Sequence, residues 1–554
     1  MSVEKLRIGL LLDSYTVADW VAENVRYFLD HPLLELTLVV LNEGQPPRVE
    51  FSSFFDRLRN NRAFFYRFDA ADSRRATAHG YAEDEVDIAE LLRDVPSIGV
   101  IPKMTKFSDR FPKDVVAEIK SHKLDFVYRF GFRIIRGAIL DCSRYGVFSF
   151  HHDDNDEYRG GPPGFWEVYE GNPVSGVTLQ ILTDKLDGGK VFAKTYCRTH
   201  PTSPRINQRQ LFRVGNILVH QLCDYLLNER PTTEQLAQRC SSGKPYDKRI
   251  YVKPTNFETL NLLSKIAIRS VRSKIALGKN VPRWSVGVAT VPDDSARPLE
   301  KIAGAKPSWF EPDDSRFVAD PFAVARDGQL YLFVEELEFA DWHGRISVMK
   351  FDSRTGFTQP TTVLKTEHHL SFPFLFEDHG ELYMIPEQAA ASKIIMYRCA
   401  EFPDKWVEVR TLLDDFRGID TVLHFDGEVW WLFTTNGHND NFNSNLYLFY
   451  SDSLTGEFRP HRQNPIRSSL DGSRMAGPII RQDGRLLRVG QNCSIRYGKS
   501  MSMFEIKELS QDGYREELVD EVQLSTGSKF GDCCHTLQVT DNFVITDGMR
   551  IGRR

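Results

Sequence analysis

The stretch GVFSFHHDDNDEYRGGPPGFWEVYEGNPVSGVTLQILTDKLDGGKVF, residues 146–192, contains a short apolar strand, a loop rich in glycine and proline, a second apolar strand and an Asp-Gly-Gly turn. The first strand brings Ser149 and His151 to its carboxyl end. Carboxyl ends of strands are where α/β proteins form their active sites. A histidine and an aspartate from neighbouring loops can meet there, so we expect His151 and Asp187 to form the centre of a catalytic site.

The sequence before this stretch alternates strands and helices. Apolar runs at 6–12, 34–42 and 124–132 are separated by helical patterns. Short apolar strands separated by helices are typical of a parallel sheet. We therefore predict a Rossmann-like α/β domain with a parallel sheet over residues 1–205.

Two helical patterns follow this domain. Residues 207–229 have the apolar periodicity of one amphipathic helix, and residues 256–278 have that of another. We assign residues 206–282 to a helical extension and linker. The second helix carries several basic residues, so we expect it to pack between domains. Peripheral contact of residues 256–279 with a membrane surface is the alternative.

Beyond residue 282 the helical patterns end and a repeat appears, at intervals of roughly 50 residues. The repeats are PFAVARDGQLYLFVEE (321–336), PFLFEDHGELYMIPEQ (373–388), TVLHFDGEVWWLFTT (421–435), PIIRQDGRLLRVGQN (478–492) and TLQVTDNFVITDG (536–548). Most have an Asp-Gly-like turn between two apolar strands, which is a strong hairpin signal. Hairpin repeats of this length are typical of propeller blades. We predict an all-β five-bladed β-propeller over residues 283–554, in which residues 283–290 supply the closing strand.

Composition limits the classes of function. The 554 residues carry a net charge of −6, whereas nucleic-acid-binding proteins carry a basic surplus. The eight cysteines show no metal-ligand spacing and are typical of thiols in a reducing compartment. The sequence shows neither a signal-peptide pattern nor an apolar run long enough to cross a membrane. We therefore expect a cytoplasmic protein that binds no nucleic acid, while the oligomeric state stays open.

Residues 146–192 resemble the formyltransferase family, which includes methionyl-tRNA, glycinamide-ribonucleotide and amino-sugar formyltransferases. The matching residues are His151, Tyr158-Arg159-Gly160, Pro163, Gly176-Val177-Thr178, Asp187 and Gly189. The family has an asparagine where this chain has Ser149. The resemblance implies the formyltransferase fold and transfer of a formyl group from N10-formyltetrahydrofolate to an amine.

The resemblance also implies a role for each site residue. His151 accepts the amine proton, since an imidazole titrates near neutral pH, and Asp187 orients His151. Ser149 replaces the amide that donates a hydrogen bond to the developing oxyanion, and loss of one such donor typically costs ~10²–10³ in rate. The residues expected to bind the formyl donor are Phe130, Gly131, Phe132, Ile134, Tyr158, Arg159 and Gly160.

A metal site is the other interpretation of the run from His151 to Asp156. Histidine and aspartate side chains ligate zinc and iron. Adjacent residues, however, rarely point at one ion, so we expect no metal.

Residues 305–548 resemble the five-bladed domain found beside a glycosyltransferase domain in plant glucosaminyl inositolphosphorylceramide transferases, and more distantly the propellers of glycoside hydrolases. The matching residues are Ala319-Asp320-Pro321-Phe322, Ser371-Phe372-Pro373-Phe374, Pro386-Glu387, Ile419-Asp420, Arg474-Met475-Ala476-Gly477 and Tyr497-Gly498. Acids on the innermost strands of hydrolase propellers point into a central funnel. Asp320, Glu387 and Asp420 lie at such positions, where they either bind or cleave a sugar, or simply cap turns.

The first interpretation is therefore an enzyme of polysaccharide biosynthesis that formylates an amino sugar. The amino sugar is linked to a nucleotide, a glycan or a lipid, and the propeller binds carbohydrate. One alternative is a carbohydrate-binding protein whose formyltransferase-like domain is catalytically weakened. Another is a glycosidase or glycosyltransferase activity that belongs to the propeller.

Overall fold

The computed structural model describes residues 4–44, 61–105, 108–184, 189–241, 246–277, 280–291, 297–437, 441–524 and 526–553. The chain divides into two compact units, Met1–Arg272 and Ser273–Arg554, which confirms the prediction of a multidomain protein. The division precedes residue 282, so most of the extension predicted for residues 206–282 belongs to the first unit.

The first unit contains helices around one large sheet. The helices are Asp19–Asp30 (α1), Ala63–Ala78 (α2), Lys113–Ser121 (α3), Phe165–Glu170 (α4), Pro204–Gly215 (α5), Ile217–Glu229 (α6), Thr233–Arg239 (α7) and Asn256–Leu277 (α8), with a short 3₁₀ helix at Ala138–Asp141. The strands of the large sheet are Leu6–Leu12 (β1), Leu34–Asn42 (β3), Ser97–Val100 (β5), Phe126–Arg129 (β8), Val147–His151 (β10), Val174–Ile181 (β12) and Lys190–Arg198 (β13). The shorter strands are Thr16–Ala18 (β2), Glu85–Asp87 (β4), Lys103–Met104 (β6), Ser108–Arg110 (β7), Ile134–Arg136 (β9), Arg159–Gly160 (β11) and Ile250–Tyr251 (β14).

The large sheet has the strand order β13-β12-β10-β8-β1-β3-β5. The strands from β10 to β5 are parallel, and β12 and β13 add an antiparallel hairpin at one edge. Successive side chains of a strand face opposite sides. Accordingly Leu10 packs with α1, α5 and α6, whereas Leu11 packs with α3 on the other face. The predicted α/β domain with a parallel sheet is confirmed.

The helix predicted at residues 207–229 is instead two helices, α5 and α6, which meet at Asn216. The amide of Asn216 donates to a carboxylate oxygen of Glu23 at 2.8 Å and accepts from Nδ2 of Asn24 at 2.6 Å. Both helices bury one face against the sheet, so the apolar periodicity continues across the break. The break depends on side chains of α1, and the local pattern does not reveal it.

The second unit contains five antiparallel sheets among the residues described, together with the helix Pro298–Gly304 (α9) and a 3₁₀ helix at Ala389–Ala391. Sheet 1 comprises Asn280–Thr290 (β15), Ser308–Trp309 (β16), Leu537–Val539 (β36) and Phe543–Arg553 (β37). Sheet 2 comprises Arg316–Arg326 (β17), Gln329–Glu338 (β18), Gly344–Asp352 (β19), Gly356–Phe357 (β20) and Thr361–Leu364 (β21). Sheet 3 comprises Ser371–Asp378 (β22), Glu381–Glu387 (β23), Lys393–Glu401 (β24) and Lys405–Asp414 (β25).

The two remaining sheets complete the second unit. Sheet 4 comprises Gly418–Phe425 (β26), Trp430–Asn436 (β27), Asn445–Ser451 (β28), Arg459–Pro460 (β29) and Arg467–Ser468 (β30). Sheet 5 comprises Asp471–Met475 (β31), Ile480–Gln482 (β32), Arg485–Asn492 (β33), Ser500–Leu509 (β34) and Tyr514–Val522 (β35).

The five hairpins predicted from the repeats are confirmed as β17–β18, β22–β23, β26–β27, β32–β33 and β36–β37, all antiparallel. In three of them both turn residues have positive φ: Asp327-Gly328, His379-Gly380 and Asp483-Gly484. Two consecutive positive φ angles define the type I′ turn, whose twist matches that of the flanking strands.

Sheets 2 to 5 share an irregularity in their first strand. The pairing register shifts between Ala319 and Phe322, Ser371 and Phe374, Ile419 and Val422, and Asp471 and Arg474. Within these bulges the residues with positive φ are Asp320 (51°), Phe372 (42°), Asp420 (47°) and Gly472 (83°). A bulge interrupts the ladder and re-aims a side chain. Two of these positions hold the acids that the sequence singled out.

Sheet 1 joins the beginning and the end of the second unit. Strand β15 pairs with β37 from Asn280 to Thr290. That residues 283–290 close a propeller stays a prediction. Sheet 1 also contacts its two neighbours. Leu537 N–H donates at 2.7 Å to the carbonyl of Ala476, which directly follows β31 of sheet 5, and Ala323 N–H of sheet 2 donates to Gln538 Oε1 at 2.6 Å.

Candidate functional site

The imidazole of His151 is the last side chain of β10, at the carboxyl end of the parallel sheet. Its Nε2 hydrogen-bonds to the backbone carbonyl of Tyr158 at 2.8 Å. A carbonyl only accepts, so Nε2 carries the proton and Nδ1 carries the lone pair in neutral imidazole. The loop after β10 therefore fixes the tautomer, and Nδ1 is the nitrogen that can act as a base.

Ser149 lies two residues earlier on the same face of β10, and its side chain is only 1% exposed. Its hydroxyl donates to the carbonyl of Phe150 at 3.2 Å and accepts from Nε of Arg129 at 3.1 Å. Arg129 is the last residue of the adjacent strand β8, in register with Ser149. The role of Ser149 as a hydrogen-bond donor to the oxyanion stays a prediction. Its hydroxyl already donates one hydrogen bond and accepts another within the chain.

Asp187, the predicted partner of His151, lies outside the described residues. Strand β12 ends at Ile181 and β13 begins at Lys190, so the segment with Asp187 joins two antiparallel strands beside β10. The approach of Asp187 to His151 therefore stays a prediction.

The segment predicted to bind the formyl donor, Phe130–Ile134, uses its backbone donors within the chain. The N–H groups of Phe130 and Gly131 donate to Leu11 O at 3.0 and 2.9 Å. Those of Phe132 and Arg133 donate to the carboxylates of Asp13 at 2.7 Å and Asp109 at 3.1 Å. The carbonyls keep acceptor capacity, because each oxygen has two lone pairs. A tetrahydropteridine ring carries N–H and amino donors, so the carbonyl edge of this segment fits it.

Close backbone contacts explain why glycine occupies positions 131 and 160. A Cβ on Gly131 would lie 2.3 Å from the backbone nitrogen of Asp13, at the end of β1. A Cβ on Gly160 would lie 2.0 Å from the carbonyl oxygen of Tyr251, because β11 pairs with β14. Their predicted contacts with a cofactor stay predictions.

Tyr158 and Arg159 support the loop that holds His151. The Tyr158 hydroxyl donates to Glu170 at 3.1 Å, and its side chain is buried. Arg159 Nε donates to the carbonyl of Asn155 at 2.7 Å, and its guanidinium lies 4.5 Å from the ring centroid of Tyr246. These contacts give both residues a part in positioning His151.

The His151–Asp156 run does not converge on one point. His152 is half-buried and packs against Trp20, Phe150 and Phe212, and desolvation of its ring lowers its pKa to about 3. Asp154 and Asp156 instead both bind Lys194, the latter at 2.8 Å. These divergent partners do not fit the metal interpretation.

A cavity of about 110 Å³ lies beside the loop after His151. Its walls are Phe65, Tyr66, Asp69, Pro162, Pro163, Phe165, Pro204, Arg205, Gln208 and Lys253. Aromatic and proline faces with a few charged groups suit a small polar ring that has one apolar face.

The second unit contains a buried group of ionisable side chains at the sheet bulges. Asp320 is 4% exposed, and its carboxylate accepts from the Thr536 hydroxyl at 2.9 Å and the Phe372 N–H at 3.3 Å. His535 forms an ion pair with Asp547 and lies 3.6 Å from Asp320. Burial raises the pKa of Asp320 to about 7. Burial alone would lower the pKa of His535, but the two carboxylates raise it to about 9.

Asp320, His535 and Asp547 have ligand atoms within 4.8 Å of one another, a spacing that a metal ion could bridge. The carboxylate oxygens already have partners, however: Asp547 Oδ1 accepts from the N–H of His535 at 2.8 Å and of Thr536 at 3.1 Å. Protonated His535 supplies the positive charge. The three side chains therefore form a hydrogen-bonded network in which a proton on His535 takes the place of a metal ion.

A second part of this network centres on Arg474. Arg474 Nε binds Asp420 at 2.5 Å, and Nη2 binds Glu387 at 3.3 Å. Gln491 donates to Asp420 at 2.6 Å. Burial raises the pKa of Glu387 well above its ordinary value, against the attraction of Arg474. Two predicted site residues, Glu387 and Asp420, therefore share one cation.

The pair of Glu335 and His369 completes the network, with 3.1 Å between carboxylate and imidazole. The hydrogen bond to Glu335 raises the pKa of His369. The side chain of His369 is 42% exposed, so it connects the buried groups to solvent. The sequence assigns no site role to Arg474, although Arg474 lies in a matching motif. Glu335, His369, His535 and Asp547 lie in none of the matching motifs, and only the fold brings these residues together.

Helix α8 has two different faces. Leu262 is fully buried, and Arg269 Nη1 donates to Val168 O at 2.6 Å on the packed face. The other face exposes apolar side chains: Phe257 (75%), Leu260 (50%), Leu263 (40%), Ile268 (53%) and Val271 (56%). We call these five residues the α8 stripe. Among the described residues, no helix combines the length and the apolar character needed to cross a bilayer.

Comparison with known proteins finds two groups of relatives. A family model described as "Glucosamine inositolphosphorylceramide transferase 1, N-terminal" matches residues 297–537. Glucosamine inositolphosphorylceramide transferase 1 of Arabidopsis thaliana is 35% identical over 207 residues, which cover 36% of this chain and 27% of the plant protein. The chain thus spans about a quarter of the length of this plant relative.

Formyltransferases form the other group of relatives. Methionyl-tRNA formyltransferase of Clostridium perfringens (strain 13) is 26% identical over 230 residues, covering 41% of this chain and 70% of that protein. Among solved structures, glycinamide ribonucleotide transformylase 1 from Symbiobacterium toebii has a TM-score of 0.27 at 13% identity, over 42% of this chain and 94% of that chain. The catalytic domain of a Coprinopsis cinerea α-L-arabinofuranosidase has a TM-score of 0.33 at 14% identity, over 46% and 82%. By sequence, the chain is therefore similar to two groups of transferases.

Proposed function

We propose that the first unit transfers a formyl group from N10-formyltetrahydrofolate to the amine of an amino sugar, as a step of polysaccharide biosynthesis in the cytoplasm. The observation that carries the proposal is the His151 imidazole at the carboxyl end of β10, with its proton on Nε2. The sequence similarity to methionyl-tRNA formyltransferases supports the choice of reaction.

The chain's own residues bind the reactants and move one proton. When bound, the folate supplies a formyl carbon activated by its N10 nitrogen. The carbonyls of Phe130 and Gly131 would hold the pteridine by accepting hydrogen bonds from it, because the N–H groups of this segment already donate within the chain. Nδ1 of His151 accepts the proton that the attacking amine loses, and Asp187 stabilises the imidazolium.

The cavity beside the loop is the proposed acceptor site. The rings of Phe65 and Tyr66 give a sugar its apolar contact, while Asp69 and Lys253 give hydrogen bonds to hydroxyl groups. The net charge of −6 disfavours a nucleic acid as the acceptor.

The test is formyl turnover with N10-formyltetrahydrofolate and a panel of free, nucleotide-linked and lipid-linked amino sugars, followed by mass spectrometry of the products. His151→Gln is expected to lower turnover by ~10²–10⁴, the usual contribution of a general base. His79→Gln, an exposed histidine of the same unit, is the matched control. Failure of the wild type to formylate any amino sugar, or full activity of His151→Gln, would contradict the proposal.

We further propose that the five sheets of the second unit are blades of a propeller that binds carbohydrate around the buried network. The contacts of sheet 1 with sheets 2 and 5 and the repeated bulges support a closed arrangement. Arg474 binds both Asp420 and Glu387, so these two side chains are engaged within the chain, which favours sugar binding over the cleavage that Asp320, Glu387 and Asp420 could otherwise perform. Retention on immobilised oligosaccharides, lost in Glu387→Gln, is the expected result. Glycoside hydrolysis that Asp320→Asn abolishes would favour cleavage instead.

The α8 stripe is proposed to contact an anionic membrane surface. Beyond Glu258 every charged residue of the helix is basic. Lys265 and Arg269 donate to the carbonyls of Tyr169 and Val168 on the packed face, whereas Arg272 is exposed. Exposed apolar side chains with a neighbouring basic residue are typical of helices that lie in the headgroup region. Such a contact would bring the enzyme to a lipid-linked sugar.

A further inference from the structure

Arg129 is a cation without a carboxylate partner. Its guanidinium donates through Nε to Ser149 Oγ at 3.1 Å and through Nη1 to the carbonyls of Phe132 at 2.9 Å and Arg133 at 2.7 Å. Among the described residues no carboxylate oxygen lies within ion-pairing distance of it. Burial lowers the pKa of Arg129, against the attraction of Asp13. Arg129 is half-buried, and its guanidinium stays protonated at neutral pH, so a fixed positive charge lies at this edge of the sheet.

The third guanidinium nitrogen of Arg129, Nη2, takes part in none of these hydrogen bonds. Within the part of the chain that the structure describes, Nη2 donates to no protein atom. Arg129 ends β8 on the same face as Ser149, and His151 follows Ser149 on that face of β10. Nη2 therefore belongs to the carboxyl edge of the sheet, where His151 also lies.

Ser149 has a supporting part in this arrangement. Its hydroxyl accepts from Arg129 and donates to the Phe150 carbonyl, and its side chain is 1% exposed. A hydroxyl proton used in this way does not reach a ligand. Ser149 thus fixes the guanidinium and is a positioning residue.

We infer that Arg129, and not Ser149, donates the hydrogen bond to the developing oxyanion in formyl transfer. This inference rests on the proposed function. The amine nitrogen would first bond to the formyl carbon, which places negative charge on the formyl oxygen. The bond from that carbon to N10 would then break, and the proton lost by the amine would pass through His151 to N10. Arg129 neither gains nor loses a proton; its fixed charge stabilises the negative charge on the formyl oxygen.

The test compares variants of Arg129 and Ser149 in the full chain by kcat and KM for formyl turnover. Arg129→Gln is expected to lower kcat by ~10²–10³ with little change in KM, the usual effect of losing an oxyanion donor. Ser149→Ala is expected to lower kcat by less than tenfold. In Arg129→Ala, added guanidinium ion should restore part of the activity, which it would not do after a purely structural loss.

A second readout is independent of turnover. Formate, a small carboxylate, is expected to bind the wild type and Ser149→Ala but not Arg129→Gln, as measured by broadening of its ¹³C resonance. Thermal melts of each variant establish that it is folded. If Arg129→Gln binds formate as well as the wild type does, or if turnover requires His151 but not Arg129, the inference about Arg129 is overturned and the proposed function still stands. A wild type without any formyl turnover overturns the proposed function, and the catalytic assignment of Arg129 with it.

Discussion

At the scale of single residues, a proton on His535 stabilises the second unit. Its pKa is about 9 in the folded chain and 6.5 in the unfolded chain, so its stabilisation is complete below pH 6.5 and lost as pH rises through about 9. The pKa of Asp320 is about 7 in the folded chain and 3.8 in the unfolded chain, so its proton also stabilises the fold. This stabilisation is lost as the pH rises from 3.8 to 7. We expect calorimetric melting temperatures to fall between pH 6.5 and 9, and His535→Gln to flatten this fall.

The matched control for this prediction is His379→Gln, whose side chain is 95% exposed. It should leave the pH dependence unchanged. If His535→Gln melts with the same pH slope as the wild type, then His535 is neutral in the folded chain and the proposed network is wrong.

The ion pair of Arg474 predicts a double-mutant result. Arg474→Met leaves the carboxylate of Asp420 buried without a cation, which typically costs ~3–5 kcal/mol in the free energy of unfolding. Arg474→Met/Asp420→Asn should recover part of this loss, because the uncompensated charge is gone. Urea denaturation measures both. A single variant within about 1 kcal/mol of the wild type would mean that the pair is solvated.

The sequence identifies residues that occur in a motif and misses those that only the fold assembles. His151 is predicted because it follows a strand and precedes a Tyr-Arg-Gly loop. Arg129 is not predicted, because one arginine at a strand end has no distinctive spacing. His535 lies in Cys-Cys-His-Thr, and its approach to Asp320 depends on pairings between distant strands.

At the scale of elements, the bulges predict that substitution by alanine costs more stability at a bulge glycine than at a turn glycine. Gly472 has φ 83°, and a Cβ there would lie 2.3 Å from the ring of Phe504. Gly380 has φ 82° in a hairpin turn, where no described atom lies within 4 Å of such a Cβ. Gly380→Ala should cost ~1–2 kcal/mol for the backbone alone. Gly472→Ala should cost ~1–3 kcal/mol more, from overpacking. Equal costs in urea denaturation would contradict this account of the bulge.

The α8 stripe predicts binding to anionic vesicles. The wild type should sediment with phosphatidylcholine vesicles that contain phosphatidylserine, and Leu260→Glu/Ile268→Glu should lose at least tenfold in partitioning, since each buried side chain contributes ~1.5–3 kcal/mol. Leu518→Glu, at a residue 57% exposed in the second unit, is the control. A dimer that the stripe variant dissociates would show instead that a second copy covers this face.

Elements differ in how far the sequence determines them. The hairpins are predictable because Asp-Gly pairs specify the turn locally, as at Asp327-Gly328. The division of 207–229 into two helices is not, because Asn216 binds side chains of α1 nearly two hundred residues earlier. The position of Asp320 within a bulge is likewise set by pairing with β18 rather than by local propensity.

At the scale of the whole molecule, two units with separate cores carry two separate candidate sites. The aromatic and aliphatic core around β1 and β8 belongs to the first unit, and that around Phe322, Phe333 and Phe433 to the second. Under the proposed function, one unit would bind a glycan while the other modifies an amine. A substitution in one unit can therefore change the site of that unit and leave the site of the other unit unchanged.

This separation predicts independent effects of two substitutions. His151→Gln should abolish formyl turnover and leave oligosaccharide retention at the wild-type level, since His151 lies in the first unit. Glu387→Gln should lose retention, keep kcat on free amino sugars, and raise KM only for amino sugars within a glycan, because effective concentration falls when the second unit no longer holds the substrate. A loss of kcat on free amino sugars in Glu387→Gln would mean that the two sites act as one.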